Sequence, residues 1–159
     1  MLVLLGAAGM DRFGGVAPDA RVTLRSSALI EAIAAFALTE PITGSDAANV
    51  QTEAVLDSSG TAFVVNGEKL WCTNGSIARY VTLIARVPSK REMQGSRTVW
   101  VPVPEGKGAD DQVHTAFILD METPGVWVRQ RCQFEGCRGI ENAHMTFTDV
   151  RITAANIIG

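Results

Sequence analysis

The sequence predicts a mainly β fold of the barrel or sandwich kind, on three observations. From Asn49 onward the apolar residues fall in short runs bounded by turn signals, the pattern of strands. No long helical pattern separates these runs, which favours a sheet closing or packing on itself. No G-x-G-x-x-G stands anywhere in the chain, so a Rossmann dinucleotide fold has no support. The 159 residues are 47% hydrophobic and 19% charged, which suits one packed core.

Taken in order, the chain opens on Met1-Leu2-Val3-Leu4-Leu5, an apolar run without a cationic flank that breaks at Gly6. It reads as neither signal peptide nor membrane anchor. Gly6, Gly9, Gly14, Gly15 and Pro18 punctuate any helix, while Ser26-Ser27 ahead of Ala28-Leu29-Ile30-Glu31-Ala32-Ile33 could cap a short one. Candidate strands follow at 50–56, 61–65, 68–72, 81–86, 98–103, 115–120, 126–131 and 144–148. Asn66-Gly67, between the second and third, suits a two-residue type I′ turn and predicts a hairpin there. The segment 87–113 carries Pro88, Gly95, Pro102, Pro104, Gly106 and Gly108, and predicts a long mobile loop interrupting the sheet.

A net charge of −3 with scattered Lys and Arg argues against a nucleic-acid surface. The three cysteines, Cys72, Cys132 and Cys137, form no Cys-x-x-Cys pair, so a disulfide framework and a zinc site are both disfavoured and a reducing compartment fits best. His114, expected in a loop, and His144, expected on a strand, lack a second ligand at metal spacing.

Two stretches carry the most information. In Phe36-Ala37-Leu38-Thr39-Glu40-Pro41-Ile42-Thr43-Gly44-Ser45-Asp46 an apolar strand stops at a hydroxyl and a carboxylate, and Pro41 fixes φ while removing a donor. Gly44-Ser45-Asp46 then forms a tight polar loop, which as bare turn chemistry is first a strand terminator and second an anion cradle. The other stretch, Asn66-Gly67-Glu68-Lys69-Leu70-Trp71-Cys72-Thr73-Asn74-Gly75, is a strand ending in a turn. On such a strand Trp71 would by default be a core residue and Thr73 an ordinary strand-end hydroxyl.

Paired at this distance, the two stretches resemble the flavin-binding face of the acyl-CoA dehydrogenases. The resemblance continues through Phe117-Ile118-Leu119-Asp120, Thr123-Pro124-Gly125-Val126, Cys137-Arg138-Gly139, Phe147-Thr148-Asp149-Val150-Arg151-Ile152 and Asn156-Ile157-Ile158-Gly159, about three quarters of the sequence. It implies an antiparallel β-barrel of the family's middle-domain type with a short helical N-terminal segment. Residues 1–35 would be the remnant of an N-terminal helical domain, 36–150 the barrel, and 151–159 the start of a linker to a C-terminal helical domain.

The resemblance implies FAD as cofactor. By residue, it sets Thr39 with the neighbouring Leu38 backbone at the pyrimidine end of the ring, and Gly44 and Ser45 at the pyrophosphate, with Ser45 also on the substrate side. Trp71 would pack beside the ring, Cys72 would line it through backbone as a buried thiol of low reactivity, and Thr73 would donate towards N5. Such fixed donors and an aromatic wall are what a protein supplies to tune and shield a flavin.

The implied reaction oxidises an acyl-CoA to the trans-2-enoyl-CoA, a base taking the α-proton while hydride leaves the β-carbon for flavin N5. Electron-transferring flavoprotein would be the partner, the intact enzyme a homo-oligomer without a membrane span, and the compartment cytoplasmic, or the mitochondrial matrix in a eukaryote. In the family the catalytic carboxylate sits on the C-terminal domain. No catalytic residue is therefore expected here, and Glu40, Glu68 and Glu141 read as solvated or loop carboxylates. Arg138 matches a position near the cofactor and subunit interface and equally suits a plain turn. An acyl-CoA oxidase shares the domain, and a non-catalytic binding or assembly module is the alternative from another class.

Overall fold

The computed structural model describes residues 32–158 and builds them into one mainly β sheet. Its strands are β1 (Ala34–Ala37), β2 (Glu53–Leu56), β3 (Ala62–Cys72), β4 (Tyr80–Gln94), β5 (Arg97–Pro102), β6 (Asp111–Asp120), β7 (Val126–Arg131) and β8 (Ala143–Thr153). The short helical segment expected before residue 36 falls almost wholly outside the described residues.

β4 is the spine. Its alternation buries Val81, Leu83, Ala85 and Val87 on one face, as a period of two requires of a half-buried strand. One edge of β4 pairs antiparallel with β6 from Tyr80 to Ser89. The other edge is shared in turn by β1 and β2, both parallel, and by β5, antiparallel. From β2 the order runs through β3 and β8 to β7. The sheet is thus mixed, which corrects the expected antiparallel barrel: the chain returns through β3 between β2 and β4, so the first strands meet β4 by crossover rather than by hairpin.

The sheet curls around a core in which Phe63 and Phe117 meet edge to face with centroids 5.1 Å apart. Strand pairing alone does not close the ring. Beyond β8 the chain turns back across the free edge of β6, where Phe117 bridges Ile157 and the Ile158 N–H donates to the Ala116 carbonyl at 2.9 Å.

Two loop expectations are corrected. β3 runs unbroken through Asn66-Gly67 and no hairpin forms there. Asn66 instead trades hydrogen bonds with Asp149, which lies in a bulge of β8 at φ 50°. Gly67 serves close approach: at φ 147° a Cβ would sit 2.7 Å from Thr52 Cα. The β2–β3 turn is Asp57 to Thr61, where Gly60 at φ 72° donates to the Asp57 carbonyl.

The expected loop over 87–113 is mostly strand. β4 extends to Gln94, Gly95-Ser96 turns the chain, and β5 pairs back from Arg97. Pro88 is tolerated inside β4 because only its carbonyl is needed there, accepting from the Val103 N–H at 2.9 Å. His114 lies on β6 rather than in a loop.

Candidate functional site

The two stretches singled out in the sequence come together at one place, where the segment after β1 crosses the C-terminal end of β3. The Leu70 N–H donates to the Thr39 carbonyl at 2.8 Å. The Cys72 thiol reaches the Phe36 carbonyl at 3.3 Å, and Asn74 Nδ2 reaches the Ala34 carbonyl at 3.5 Å. Three rungs thus lace residues 34–39 to residues 70–74.

Beneath the lacing lies an ion pair that is sealed from water. Lys69 Nζ donates to Glu40 Oε1 at 2.8 Å and to the Leu38 carbonyl at 3.0 Å, with side-chain exposures of 0% for the lysine and 3% for the glutamate. Glu40 also accepts from the Thr52 N–H at 2.8 Å and the Gln51 N–H at 2.7 Å. Burial works against its carboxylate, but the hydrogen bonds from Lys69, Thr52 and Gln51 outweigh it and hold the group below its ordinary pKa. Burial also lowers the pKa of Lys69, against the pull of Glu40. Glu40 is therefore a buried structural anion, which corrects its reading as a solvated loop carboxylate.

Lys69 was missed by sequence reasoning, although a signal existed. Counting alternate residues inward from Val65 places Lys69 on the core side, and a buried lysine needs an anion. The same count would bury Trp71. A bulge prevents it: on β3 the step from Lys69 to Cys72 answers only Met145 to Ala143 on β8, so one residue of β3 is extra. Trp71 takes φ 56°, its indole turns outward to 56% exposure, and Cys72 takes the inward place. This corrects the default reading of Trp71 as core. A non-glycine residue in that backbone region costs about 1–3 kcal/mol and persists only when its surroundings hold it.

The remaining site residues divide by exposure. Leu38 and Thr39 are half-buried, and Gly44, Ser45 and Thr73 are exposed. Gly44 has nothing near a notional Cβ, so the Gly44-Ser45 loop stands open. The hydroxyls of Thr39, Ser45 and Thr73 have no hydrogen-bond partner among the described residues. Cys72 is buried, and burial pushes its thiol up to about 11, against the opposing effect of Lys69. Phe36, at 41% exposure, adds a second outward aromatic from the laced segment.

The other carboxylates stand apart. Glu68 Oε2 lies 3.0 Å from His144 Nε2 on the neighbouring strand. Glu141 accepts from Ser76 Oγ at 2.6 Å and Arg131 Nε at 2.7 Å, and Arg131 with Ser76 lowers its pKa. Arg138 is exposed and offers its carbonyl to Arg131. No cluster of three or more metal-ligating side chains occurs among the described residues. Two concavities, of about 340 and 480 Å³, open beside Glu53 and Glu105 and beside Cys132 and Cys137 respectively, and neither is lined by Thr39, Ser45, Trp71 or Thr73.

That face is therefore an open wall with an outward indole and free hydroxyls. The family model described as acyl-CoA dehydrogenase, middle domain, matches residues 35–150. The chain belongs to the acyl-CoA dehydrogenase family. It is 36% identical over 128 residues to a probable acyl-CoA dehydrogenase of Mycobacterium tuberculosis, covering 80% of this chain and 17% of that protein. It is 35% identical over 158 residues to the probable acyl-CoA dehydrogenase YngJ of Bacillus subtilis, covering 99% of this chain and 36% of that one. A solved acyl-CoA dehydrogenase from Bacillus anthracis, complexed with FAD, superposes with a TM-score of 0.62 at 28% identity, covering 79% of this chain and 18% of that chain. The chain thus spans between about a sixth and just over a third of the length of these relatives.

FAD is the cofactor that membership in this family implies, and the laced face fits it chemically. A flat ring system needs an apolar aromatic neighbour and hydroxyl or N–H donors at its polar edge. Trp71 offers the first, and Thr39 and Thr73 the second. No helix among the described residues is long and apolar enough to cross a membrane.

Proposed function

We propose that residues 36–150 form the middle-domain wall of the FAD site in an acyl-CoA dehydrogenase that oxidises acyl-CoA to trans-2-enoyl-CoA. The observation that carries this reading is Trp71, held outward on strained backbone beside hydroxyls that the described chain leaves unpartnered. FAD, when bound, supplies the two-electron acceptor for the hydride of the substrate β-carbon. The residues of this chain bind and orient. Thr39 and the Leu38 backbone take the pyrimidine end of the ring, Thr73 donates towards N5, and Trp71 with the backbone of Cys72 walls off water. The Gly44 amide and Ser45 take the pyrophosphate, Ser45 also facing the substrate.

In this reading a helical N-terminal domain ends ahead of β1, which already takes Ala34 and Ala35 from the expected 1–35, and the linker into a helical C-terminal domain starts after β8, which takes residues 151–153 from the expected 151–159. That last domain supplies the base. Glu40 is held by Lys69 and Glu141 by Arg131, and Glu68 lies beside His144, and this reading gives none of the three the α-proton. Electron-transferring flavoprotein is the acceptor, a homo-oligomer the assembly, and the cytoplasm or mitochondrial matrix the compartment.

The test is anaerobic mixing of acyl-CoAs of several lengths with the protein extended past Gly159 into its helical domain, watching the visible flavin band. Thr73→Ala should slow bleaching by about ten- to a hundredfold, since one hydrogen bond to a charged group contributes about 1.5–3 kcal/mol. Unchanged bleaching would return Thr73 to an ordinary strand-end hydroxyl, and rapid reoxidation by oxygen would move the reading to an acyl-CoA oxidase.

A further inference from the structure

The buried Lys69–Glu40 pair has no part in the roles above, yet it lies directly under them. Thr39 is the residue between the two groups that Lys69 grips, the Leu38 carbonyl at 3.0 Å and the Glu40 carboxylate at 2.8 Å. The carbonyl of Thr39 itself accepts from Leu70, the residue after Lys69. Two residues beyond Lys69 stands Trp71, and four beyond it Thr73.

We propose that Lys69 is a positioning residue of the flavin face, its sealed ammonium fixing Thr39 against the bulge that turns Trp71 and Thr73 outward. The proposal rests on the flavin reading given above. Its physical ground is that an ammonium cut off from water must keep its anion and carbonyl together, and so holds the intervening residue in one place. A hydrophobic pair of the same volume would fill the space equally well and would leave residue 39 free to shift. Glu40 ties the same point to a third segment through the Gln51 and Thr52 amides.

The test uses this chain with Trp100→Phe and Trp127→Phe, which leaves Trp71 as the sole tryptophan reporter. Lys69→Met, Glu40→Gln and the double variant are compared by melting, by amide exchange and by quenching of Trp71 on titration with FAD. Lys69→Met strands a buried carboxylate and lowers the melting point. The double variant carries no ion in the core but leaves the Leu38 carbonyl without its donor and sets the Gln amide against the Gln51 or Thr52 N–H, so it recovers only part of that loss and melts below the parent chain.

In that double variant the Leu70 amide, which reports the bond to Thr39, should exchange at least tenfold faster, while the Met121 amide, bonded to Arg79 far from the pair, stays unchanged. FAD should bind the double variant at least tenfold more weakly. A double variant with parental stability, parental Leu70 exchange and parental FAD affinity would overturn the proposal and leave the pair a core-filling device. Absence of FAD binding both in the parent chain and in the protein extended past Gly159, up to millimolar, would instead sink the flavin reading. The Leu70 exchange would then decide the clamp alone, faster exchange supporting it and unchanged exchange removing it.

Discussion

Trp71→Gly should leave the protein more stable than Trp71→Ala, the reverse of the order expected in a strand. Both variants lose the same burial: at 56% exposure the indole hides less than half of itself, roughly 100 Å² or about 2–3 kcal/mol. That loss cancels in the comparison. What remains is backbone. Alanine at φ 56° keeps a penalty of about 1–2 kcal/mol for the left-handed region, whereas glycine pays almost none. Against this, glycine loses about 0.5–1 kcal/mol more conformational entropy on folding. The net favours glycine by about 0.5–1 kcal/mol, a gap of about 2–4 °C in melting midpoint at most for a chain of this size. Thermal and urea unfolding of both variants side by side would read it. Alanine equal to or above glycine would refute the claim that Trp71 is held under strain, and with it the bulge as the cause of its exposure.

Gly67→Ala should destabilise by about 1–3 kcal/mol, because its Cβ would meet the Thr52 backbone at 2.7 Å, and Thr52, just ahead of β2, is held by Glu40 and by the Arg86 N–H; an unaltered urea midpoint would contradict the close approach. The Asp57 carboxyl is held at about 2 rather than 3.8, first by the Ser59 hydroxyl and then, against slight burial, by Arg151. Its folded pKa lies below the unfolded one, so its contribution is complete above 3.8 and is lost as pH falls through about 2. Asp57→Asn should therefore be less stable than the parent at neutral pH, where that contribution is complete, and should converge on it as pH falls through about 2, so its acid limb is flatter across that window; an acid limb as steep as the parent's would remove Asp57 as its source.

Much of the sheet was legible because strands announce themselves by alternation, and β7 falls at the expected 126–131. What was not legible depends on pairing partners far away in sequence. Asn66-Gly67 has the local chemistry of a tight turn, and nothing within ten residues says that Asp149 will satisfy Asn66 while Thr52 crowds Gly67. Pro88 and the glycines at 95, 106 and 108 suggested a loop by composition, yet a proline whose N–H is not needed can sit in a strand, and Gly95 at φ 63° marks only the turn between β4 and β5. The parallel placement of β1 and β2 on β4 has no local signature at all.

At the candidate site the failures of pattern are themselves informative. Simple alternation along β3 would bury both Lys69 and Trp71, and the usual preferences of the two residues would expose the lysine and bury the tryptophan. The protein does the opposite, with Lys69 at 0% and Trp71 at 56% exposure, and a single extra residue in β3 separates them. A bulge flips every side chain beyond it to the other face, so one insertion brings Cys72 inward and presents Trp71 and Thr73 outward together. Neither inversion is favourable alone: the lysine requires Glu40 and the Leu38 carbonyl, and the tryptophan requires a backbone held in a strained region. Stability is given up at two positions of one strand, separated only by Leu70, to set an aromatic and a hydroxyl on the outside of a core, and such concentrated local conflict is expected where a surface is shaped for a ligand rather than for stability.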